Sequence, residues 1–573
     1  MTARRRTGAD GRLLRGAVLA VVAAGLVSPI AAGLWQTARA AFGVMPAIGA
    51  TEVSLAPLRA LLDVPGLGTA VIVTLVSGIG ATALSLALAL GLAAVAHARL
   101  ASPVGARLLA PFLAAPHAAV AIGLAFVLAP SGWIARLLAP LFGWAQPPGA
   151  VTVGDPWGIA LILGLAVKEV PFLLLMILAA LSQVRLRQDM AAARALGYGR
   201  GIVWIKVIAP QLWPLIRLPA MVVLAYSLSV VDMALILGPS NPPTLAVLLT
   251  RLFSDPDIAR LLPASAGALL QLALVVAAFA GLWSVERAAR AAGLWWLRRG
   301  GRGVTAEPGL RLAAFGASVV FALGALALVS LALWSVAWRW PWPAALPETW
   351  SLQAWSGNAS GWGAALTTTF ALAALTTGAA LLLAIAWLEG EDRARRGRAG
   401  WAEALVYLPL LVPQIGFLYG LNVLFLQAGV TDHVLAVAWA QALFVFPYVM
   451  IALSPAWRAL DPRLVRSAAA LGAGPWRRLF AVKLPVLLTP LMTAAAVGVA
   501  VSVAQYLPTL FMGAGRVQTL TTEAVALSSA SDRRVTAVYA TLQAALPFAA
   551  FLAAFAVPAL VHRDRRALRA AAA

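Results

Sequence analysis

Long apolar segments alternate with short polar connections along almost the whole chain. Twelve of these segments reach about 20 residues, the length at which an α-helix crosses a hydrocarbon core of about 30 Å. They cover residues 15–36, 69–96, 105–129, 157–181, 208–232, 263–286, 311–336, 363–388, 402–427, 433–455, 486–511 and 537–561. The pattern predicts an all-α polytopic membrane protein with about 12 transmembrane helices.

The connections between these segments fall into two classes by charge. One class is rich in arginine and comprises residues 4–15, 99–107, 185–206, 287–302, 393–398, 458–483 and 563–569. The other class is poor in arginine, carries interfacial tryptophans, and comprises residues 37–68, 130–156, 238–262, 337–362 and 512–536. Because basic connections stay on the cytoplasmic side, we expect both termini there, in a multi-pass protein of the bacterial cytoplasmic (inner) membrane.

Composition and charge exclude other classes of protein. Of the 573 residues, 62% are hydrophobic and 11% are charged, and the mean hydropathy is +0.89, far above that of a soluble domain. The net charge of +22 is spread over the connections of one membrane face, so we expect a lipid bilayer as partner and no nucleic acid. The chain has no cysteine, which excludes disulfides and thiolate metal sites, and no metal site is predicted.

The N-terminal segment has two interpretations. Arg4 to Arg6, an apolar run and the small-residue sequence Ala38-Arg39-Ala40 resemble a cleaved signal peptide. The apolar run is longer than a usual signal core, however, and a retained helix gives an orientation that agrees with the charge of every later connection. We therefore favour a retained first helix.

A short motif occurs twice in the basic connections. Residues 192–197 read Ala-Ala-Arg-Ala-Leu-Gly and end thirteen residues before Pro210. Residues 468–472 read Ala-Ala-Ala-Leu-Gly and end at the same distance before Pro485. The motif predicts a short helix that ends at a residue tolerant of left-handed geometry, followed by the start of a membrane helix.

The repetition extends well beyond this motif. The offset of 275 residues between the two copies also carries Thr244-Leu245 onto Thr519-Leu520 and Asp257 onto Asp532. Further upstream the matched pairs are Pro116 with Pro413, Gly123 with Gly420, Thr74 with Thr368 and Thr82 with Thr376. The chain therefore contains two homologous membrane units, and two parallel copies of about six helices favour a transport path between the halves.

The repeat divides the chain into six parts. They are an N-terminal tail with helix 1 and an external loop (1–68), a first unit (69–290), a basic linker (291–310), helix 7 with an external loop (311–361), a second unit (362–565) and a C-terminal tail (566–573).

The repeated motif resembles the conserved cytoplasmic loop of permeases in binding-protein-dependent ABC importers. In that family Glu-Ala-Ala is followed by three residues, Gly and later Leu-Pro, and the loop forms a coupling helix seated in a cleft of the ATPase subunit. The resemblance covers nearly all of 69–290 and 362–562. It implies two type-I ABC importer units, and their fusion in one chain is similar to permeases of iron(III) and thiamine importers.

The resemblance implicates a first loop segment, about 189–205, and a second loop segment, about 464–480. The residues concerned are Asp189, Ala191, Ala192, Ala193, Leu196, Gly197, Pro210, Arg466, Ala468, Leu471, Gly472 and Pro485. Ala191 and Arg466 stand where the family has Glu, so a contact of that Glu with the ATPase is missing, and Asp189 is a candidate substitute in the first copy. The alternative is an ordinary amphipathic loop helix at the membrane surface.

Missing motifs indicate separate partner subunits. ATP binding needs a glycine-rich loop ending in Gly-Lys, and the sequence contains no Gly-Lys pair. We therefore expect a transport subunit rather than an enzyme, with no cofactor of its own, while a partner ATPase, expected as a homodimer, uses ATP and Mg²⁺. An external solute-binding protein is expected to dock on residues 238–262 and 512–536.

Polar residues inside the predicted spans are candidates for the transport path, because charges at mid-bilayer are costly and usually face the bundle interior. They are Lys168, Glu169, Asp232, Gln441, Gln505 and Tyr506, and no catalytic residue is expected. We expect Lys168 to pair with Asp232, with a purely structural ion pair as the alternative. The favoured substrates are a thiamine-like cation, for which Asp232 and Tyr506 offer charge and an aromatic face, or iron(III). His117 is expected to be a packed or interfacial residue.

One charged sequence points to a different class of transporter. Asp392-Arg393 followed by Gly397-Arg398 resembles a loop of major facilitator carriers, and a proton-coupled secondary transporter with twelve helices in two repeats is the alternative function. The spacing is too wide, and the matching first-half connection, 97–107, has no version of it. We therefore expect these charges to form a solvated cytoplasmic cluster.

The two transport mechanisms make opposite predictions for the isolated chain. A permease that depends on a partner ATPase is expected to show no ATP hydrolysis when it is purified alone, measured as phosphate release in proteoliposomes. Uptake by this chain alone, driven by a proton gradient and independent of ATP, would instead support the secondary transporter.

Overall fold

The computed structural model describes residues 2–300, 302, 306–357, 359–394, 400–430, 432–529 and 532–563. The expected C-terminal tail at 566–573, four residues of the linker and Gly397-Arg398 lie outside these described residues. Within them the chain is helical almost throughout, which confirms the all-α polytopic class.

The first half begins with two helices that are joined by a π-helical turn, Ala23–Val27. Its helices are α1 (Thr2–Val22), α2 (Ser28–Ala41), α3 (Ala56–Leu62), α4 (Leu67–Leu100), α5 (Pro103–Ala114), α6 (His117–Leu128), α7 (Trp133–Phe142), α8 (Ile159–Leu181), α9 (Leu186–Ala195), α10 (Arg200–Val203), α11 (Ala209–Ser229), α12 (Asp232–Leu237), α13 (Leu245–Phe253) and α14 (Leu261–Arg298). Short 3₁₀ turns occur at Pro46–Ile48 and Ile258–Arg260.

The second half repeats this order and adds a small ribbon, in which β1 (Ala337–Arg339) pairs antiparallel with β2 (Thr349–Trp350). Its helices are α15 (Glu307–Val336), α16 (Gln353–Gly357), α17 (Ala359–Ala394), α18 (Gly400–Leu411), α19 (Gln414–Gln427), α20 (His433–Ala459), α21 (Pro462–Ala470), α22 (Pro475–Arg478), α23 (Leu484–Val486), α24 (Leu488–Ala504), α25 (Leu507–Gly513), α26 (Leu520–Leu527) and α27 (Arg533–Val561). A π-helical turn occurs in each half, at Trp204–Ile208 and Leu479–Lys483.

The described residues contain ten helices that are long and apolar enough to cross a membrane. Two further pairs, bent by 93° between α18 and α19 and by 77° between α22–α23 and α24, bring the number to as many as twelve. The third and ninth predicted spans were expected to be continuous, and this was wrong, because each breaks before a proline, Pro116 or Pro413. The residue before proline is disfavoured in helical geometry, so the two matched prolines produce the same break in each half.

Hydrogen bonds confirm the internal repeat and correct its register at one place. The backbone N–H of Leu245 donates to Thr74 Oγ1 at 2.8 Å, and that of Leu520 donates to Thr369 Oγ1 at 2.9 Å. Thr74 therefore corresponds to Thr369, at an offset of 295, rather than to Thr368 as predicted. Since both threonines satisfy the first N–H of a short helix, α13 or α26, the repeat preserves a polar contact that the buried helix start requires.

Helices at the start of each half pack on the opposite unit. Helix α2 crosses α19, and α15 crosses α4 and α6. The crossings are close: a Cβ on Gly420 would lie 2.1 Å from the carbonyl oxygen of Gly33, and one on Gly123 would lie 2.3 Å from that of Ala327. The matched pair Gly123 and Gly420 is therefore explained by helix packing, since small residues let membrane helices approach closely. The first and second units are interlocked by their own leading helices.

The expected external loops at 238–262 and 512–536 are only partly loops. Each contains a short buried helix, α13 or α26, packed between the long helices of its half. Among the described residues of these segments, the longest exposed stretches are the turn 254–260, apart from the half-buried Asp255, and residues 514–516. A protein that docks on this face therefore meets mainly these turns rather than the whole of either segment.

The two halves are also joined by a contact between their connecting segments. The buried side chain of Arg136 on α7 donates to the carbonyl oxygens of Pro341, Ala344 and Trp340, and its guanidinium lies 5.1 Å from the ring of Trp340. This contact ties the long first-half loop to the connection that follows α15.

The close crossing of α2 and α19 gives a stability prediction. Gly420→Leu is expected to lower the free energy of unfolding by about 1–3 kcal/mol, because the side chain has no space beside the backbone of Gly33. Gly281→Leu on α14 is the matched control, since no atom lies within 4 Å of its Cβ position. Thermal unfolding of the detergent-purified proteins measures the difference, and equal melting temperatures for the two variants would contradict the close crossing.

Candidate translocation path and cytoplasmic loop segments

The repeated motif ends its helix in the same way in both halves. Gly197 and Gly472 each have a φ of +83°, in the left-handed region that favours glycine. In the first copy the N–H of Tyr198 donates to Ala193 O and that of Gly197 donates to Arg194 O; Ala473 and Gly472 repeat both bonds in the second copy. These paired bonds form a Schellman motif, which satisfies the last carbonyl groups of the helix.

The proline thirteen residues later also has a local role. Pro210 and Pro485 have no N–H, so the regular hydrogen bond at that position is missing. In each half the preceding residue, Ala209 or Leu484, instead bonds to the carbonyl oxygen five residues back and closes the π-helical turn. In each half, the motif and its proline thus specify a short helix, the left-handed turn that ends it and the π-helical turn that precedes the proline.

Most residues implicated in the loop segments are exposed. Ala191, Ala192, Leu196, Gly197, Arg466, Leu471 and Gly472 face solvent, Asp189 and Ala468 are half-buried, and Ala193 is buried. Leu471 is 88% exposed and Leu196 is 60% exposed, although both are large apolar side chains. An exposed leucine at the same place in both copies indicates a surface that is available for contact with another protein.

Asp189 is directed toward its own half of the protein. Its Oδ2 accepts a hydrogen bond of 3.0 Å from Gln211 Nε2 at the start of α11. Asp189 is the candidate substitute for the missing Glu. Its carboxylate already has a hydrogen-bond partner within this chain.

The linker covers part of the first loop segment. The ammonium of Lys206 lies 4.1 Å from the ring of Trp296 near the end of α14. Arg302 lies over the ring of Tyr198 at 5.7 Å, and Gly201 packs against the backbone at Glu307. In the second loop segment Leu464, Leu471 and Trp476 remain exposed. The two loop segments are therefore equivalent in backbone and different in environment.

In each half a membrane helix is interrupted at the same position of the repeat. Helix α11 ends before Val230 and α24 ends before Gln505, and both residues adopt extended geometry. The freed carbonyl groups are satisfied differently: Gln271 Nε2 donates to Leu228 O at 2.8 Å, whereas Thr521 Oγ1 donates to Val503 O and in turn accepts from Gln543. Non-helical backbone at membrane depth is tolerated where protein or a cavity surrounds it, so the two breaks mark the interior of the bundle.

Charged and aromatic side chains meet at the first break. His117 Nε2 lies 3.7 Å from Glu169 Oε1, and its ring centroid lies 4.7 Å from that of Tyr226. Glu169 and Asp232 are buried, whereas His117 and Tyr226 are half-buried. His117, expected to be a packed or interfacial residue, packs on Tyr226 and also faces Glu169.

The same group extends across the interface between the halves. Asp232 interacts electrostatically with Tyr506, and Glu169 does so with Tyr448. Tyr226 interacts with Asp232, Glu169 and Tyr448. We call this set the central cluster: His117, Glu169, Tyr226, Asp232, Tyr448 and Tyr506. Sequence reasoning identified Glu169, Asp232 and Tyr506 but missed the other three, whose half-polar rings give no hydropathy signal.

The expected ion pair between Lys168 and Asp232 does not form. Lys168 Nζ donates to the carbonyl oxygens of Phe112, at 2.8 Å, and Ala115. These carbonyl groups lie in the last turn of α5, where the break at Pro116 leaves them without helical partners. A cation at a helix C-terminus is favourable, so Lys168 stabilises the break and is not part of the central cluster.

The candidate glutamines of the second half differ from each other. Gln441 Nε2 donates to Thr509 Oγ1 at 3.1 Å, and its Oε1 accepts from Ser502 Oγ at 2.6 Å. Ser502 in turn accepts from Thr376, and all four side chains are buried. Gln441 therefore belongs to a closed hydrogen-bond network, whereas Gln505 is half-buried at the break beside Tyr506.

The charges at Asp392-Arg393 are not a solvated cluster, as they were expected to be. Lys483 Nζ donates to Glu389 Oε2 at 2.6 Å and also to Asp392 Oδ2. Glu389 and Lys483 are buried, and only Asp392 is substantially exposed. No local sequence pattern predicts this contact, because Lys483 lies 91 residues beyond Asp392.

Comparison with known proteins agrees with this architecture. Residues 377–563 match the family described as binding-protein-dependent transport system inner membrane component. The chain is 35% identical over 460 residues to the inner membrane ABC transporter permease protein YnjC of Escherichia coli (strain K12). The alignment covers 79% of this chain and 80% of that protein.

A second relative is shorter. The chain is 32% identical over 166 residues to the molybdenum transport system permease protein ModB of Azotobacter vinelandii. The alignment covers 26% of this chain and 72% of that protein. Such coverage is expected when a single unit matches one half of a chain with two units.

The left-handed glycines give a prediction for the loop segments. Gly472→Val is expected to cost roughly 1–2 kcal/mol at the end of α21, because a β-branched residue is strained at positive φ. Gly474→Val is the control, since Gly474 has a φ of −67° and no atom within 4 Å of its Cβ position. Limited proteolysis of the loop and capture of a partner ATPase measure the effect. Equal proteolysis rates and equal capture for the two variants would exclude a role for the left-handed turn.

Proposed function

This chain belongs to the family of inner-membrane permeases of binding-protein-dependent ABC transport systems, and from this premise we propose that it carries a small organic cation into the cytoplasm. The observation that carries the proposal is the central cluster. It brings two buried carboxylates, Glu169 and Asp232, together with three tyrosine rings and His117 at the interface of the two halves.

The chemistry of the central cluster suits an organic cation. Buried carboxylates are costly in a membrane and are stabilised by a positive charge, while tyrosine faces attract a desolvated cation. Within the described residues no three His, Cys, Asp or Glu side chains converge as metal ligands do. A thiamine-like cation therefore agrees better with this site than iron(III), the other substrate suggested by the sequence.

An oxyanion agrees less well with the same site. The relative from Azotobacter vinelandii is named for molybdenum transport, and oxyanion transport would require cationic or N–H donors along the path. Lys168, the lysine nearest to the central cluster in sequence, is held by the carbonyl oxygens of Phe112 and Ala115. The carboxylates of Glu169 and Asp232 would repel a negative substrate.

ATP supplies the energy in this proposal, through a partner ATPase that contacts the two loop segments. Their exposed leucines, Leu196 and Leu471, offer apolar contacts that replace the contact of the missing Glu. Because the linker covers part of the first loop segment, the two sites on an ATPase homodimer are engaged unequally. This chain itself contributes no ATP-binding site and acts as a transport subunit.

The proposed mechanism is alternating access. Closure of the ATPase dimer moves the loop segments, the interlocked halves rock against each other, and the central cluster becomes accessible from outside. A solute-binding protein docks at that stage on the exposed turns 254–260 and 514–516. Hydrolysis of ATP then returns the protein to the inward-facing state, with the loop segments and both termini on the cytoplasmic side.

Uptake of radiolabelled thiamine tests the central cluster. Asp232→Asn and Tyr506→Ala are each expected to reduce uptake roughly tenfold, the effect of losing about 1.4 kcal/mol of interaction with a cation. Asp63→Asn, at an exposed position directly after α3 and outside the turns 254–260 and 514–516, is the matched control and is expected to retain wild-type uptake. Wild-type uptake by both cluster variants would eliminate the cation path, and uptake of molybdate instead of thiamine would replace the substrate class.

A further inference from the structure

The second loop segment is joined to the membrane helices by a buried ion pair. Lys483 closes the π-helical turn that follows this segment, and it contacts Glu389 and Asp392 near the end of α17. The exposed fractions of the Lys483 and Glu389 side chains are 6% and 5%. A charge pair this well buried fixes the relative position of the two elements, because separating its members leaves uncompensated charges.

Further contacts extend the ion pair to a third helix. Trp457 Nε1 near the end of α20 donates to Asp392 Oδ2 at 3.0 Å, and the ammonium of Lys483 lies 5.2 Å from the Trp457 ring. Arg393 Nε donates to Glu389 Oε1 at 2.7 Å, and its guanidinium lies 4.4 Å from the ring of Trp476 in the second loop segment. The ends of α17 and α20 and the second loop segment are thus held by one network.

The first half builds the same junction without these charges. The repeat offsets of 295 and 275 place Ala94 opposite Glu389, His97 opposite Asp392 and Ile208 opposite Lys483. Ala94 and Ile208 are buried apolar residues, and His97 stacks on Trp204 with centroids 5.8 Å apart. The fold therefore does not require a buried ion pair at this junction.

The choice of lysine supports a specific role for the pair. The chain has 43 lysine and arginine residues, and only Lys168, Lys206 and Lys483 are lysine. All three are buried, each among carbonyl oxygens, carboxylates or aromatic rings. A compact ammonium carries three donors, so Lys483 can bond to both carboxylates at once.

We propose that Glu389, Asp392 and Lys483 are positioning residues that make the second loop segment, α17 and α20 move as one rigid body. The first loop segment, held to α4 by apolar and aromatic contacts and by one long hydrogen bond from Arg200 to Ala94 O but by no buried ion pair among the described residues, shifts relative to α4 when the ATPase closes. Motion therefore enters the membrane domain mainly through the second half. This inference rests on the proposed function, because it requires that an ATPase acts on the loop segments.

Distances between spin labels test this inference directly, because the chain has no cysteine of its own. One pair of labels is placed at Ala469→Cys and Leu382→Cys, between the second loop segment and α17. The equivalent first-half pair is Arg194→Cys and Ala87→Cys, and all four positions are exposed. The labelled chain is measured in complex with its co-purified ATPase subunit, with and without ATP and vanadate.

The rigid joint predicts different behaviour in the two halves. In the otherwise unchanged chain, the second-half distance is expected to stay within the width of its distribution on addition of ATP and vanadate, while the first-half distance shifts by several ångströms. The triple variant Glu389→Ala, Asp392→His, Lys483→Ile gives the second half the residues of the first, and its distance is expected to shift as well. The exchanged pair Glu389→Lys, Lys483→Glu is expected to restore a fixed distance.

The outcomes separate this inference from the proposed function. A triple variant that keeps the unshifted distance of the otherwise unchanged chain would overturn the rigid joint, whereas failure of any ATPase to co-purify would overturn the proposed function.

If the triple variant does not fold, Asp392→Asn removes one of the two carboxylates that bind Lys483. Its second-half distribution is expected to broaden, and an unchanged distribution would also overturn the joint. Glu286→Gln, which alters an ion pair with Arg217 away from the loop segment, is expected to leave the distribution unchanged.

Discussion

Satisfaction of backbone polar groups inside the membrane is the constraint on which this structure depends. Within the described residues four spans are broken or sharply bent, and each break frees carbonyl groups inside a membrane-spanning segment. At three breaks a side chain from another helix donates a hydrogen bond to a freed carbonyl oxygen. The donors are Lys168 beside α5, Gln271 beside α11 and Thr521 beside α24. The breaks in turn create the interior in which the central cluster lies.

Close helix crossings hold the two halves in register around that interior. The leading helix of each half lies on the opposite unit, and the contact is so tight that Gly123 and Gly420 have no space for a side chain. Without a hydrophobic force between helices in lipid, such packing of small residues is a main source of association. This interlocking holds the two units together in addition to the linker that joins them.

The two halves share a backbone and divide the polar groups between them. The buried carboxylates of the central cluster, Glu169 and Asp232, belong to the first half, while the buried ion pair of Glu389 and Lys483 belongs to the second half. The linker, which covers part of the first loop segment, adds to this asymmetry.

The sequence by itself determined the membrane class, the approximate number of spans, the internal repeat and the turn at each repeated motif, because these depend on local apolar length, glycine geometry and proline position. Gly197, Gly472, Pro210 and Pro485 act where the sequence predicts, since their effects are confined to one helix end. Only the tertiary structure decided the partners of the charged side chains. Lys168 bonds to carbonyl oxygens instead of Asp232, and Lys483 joins Asp392 across 91 residues, because side-chain pairing depends on which helices cross and at what depth.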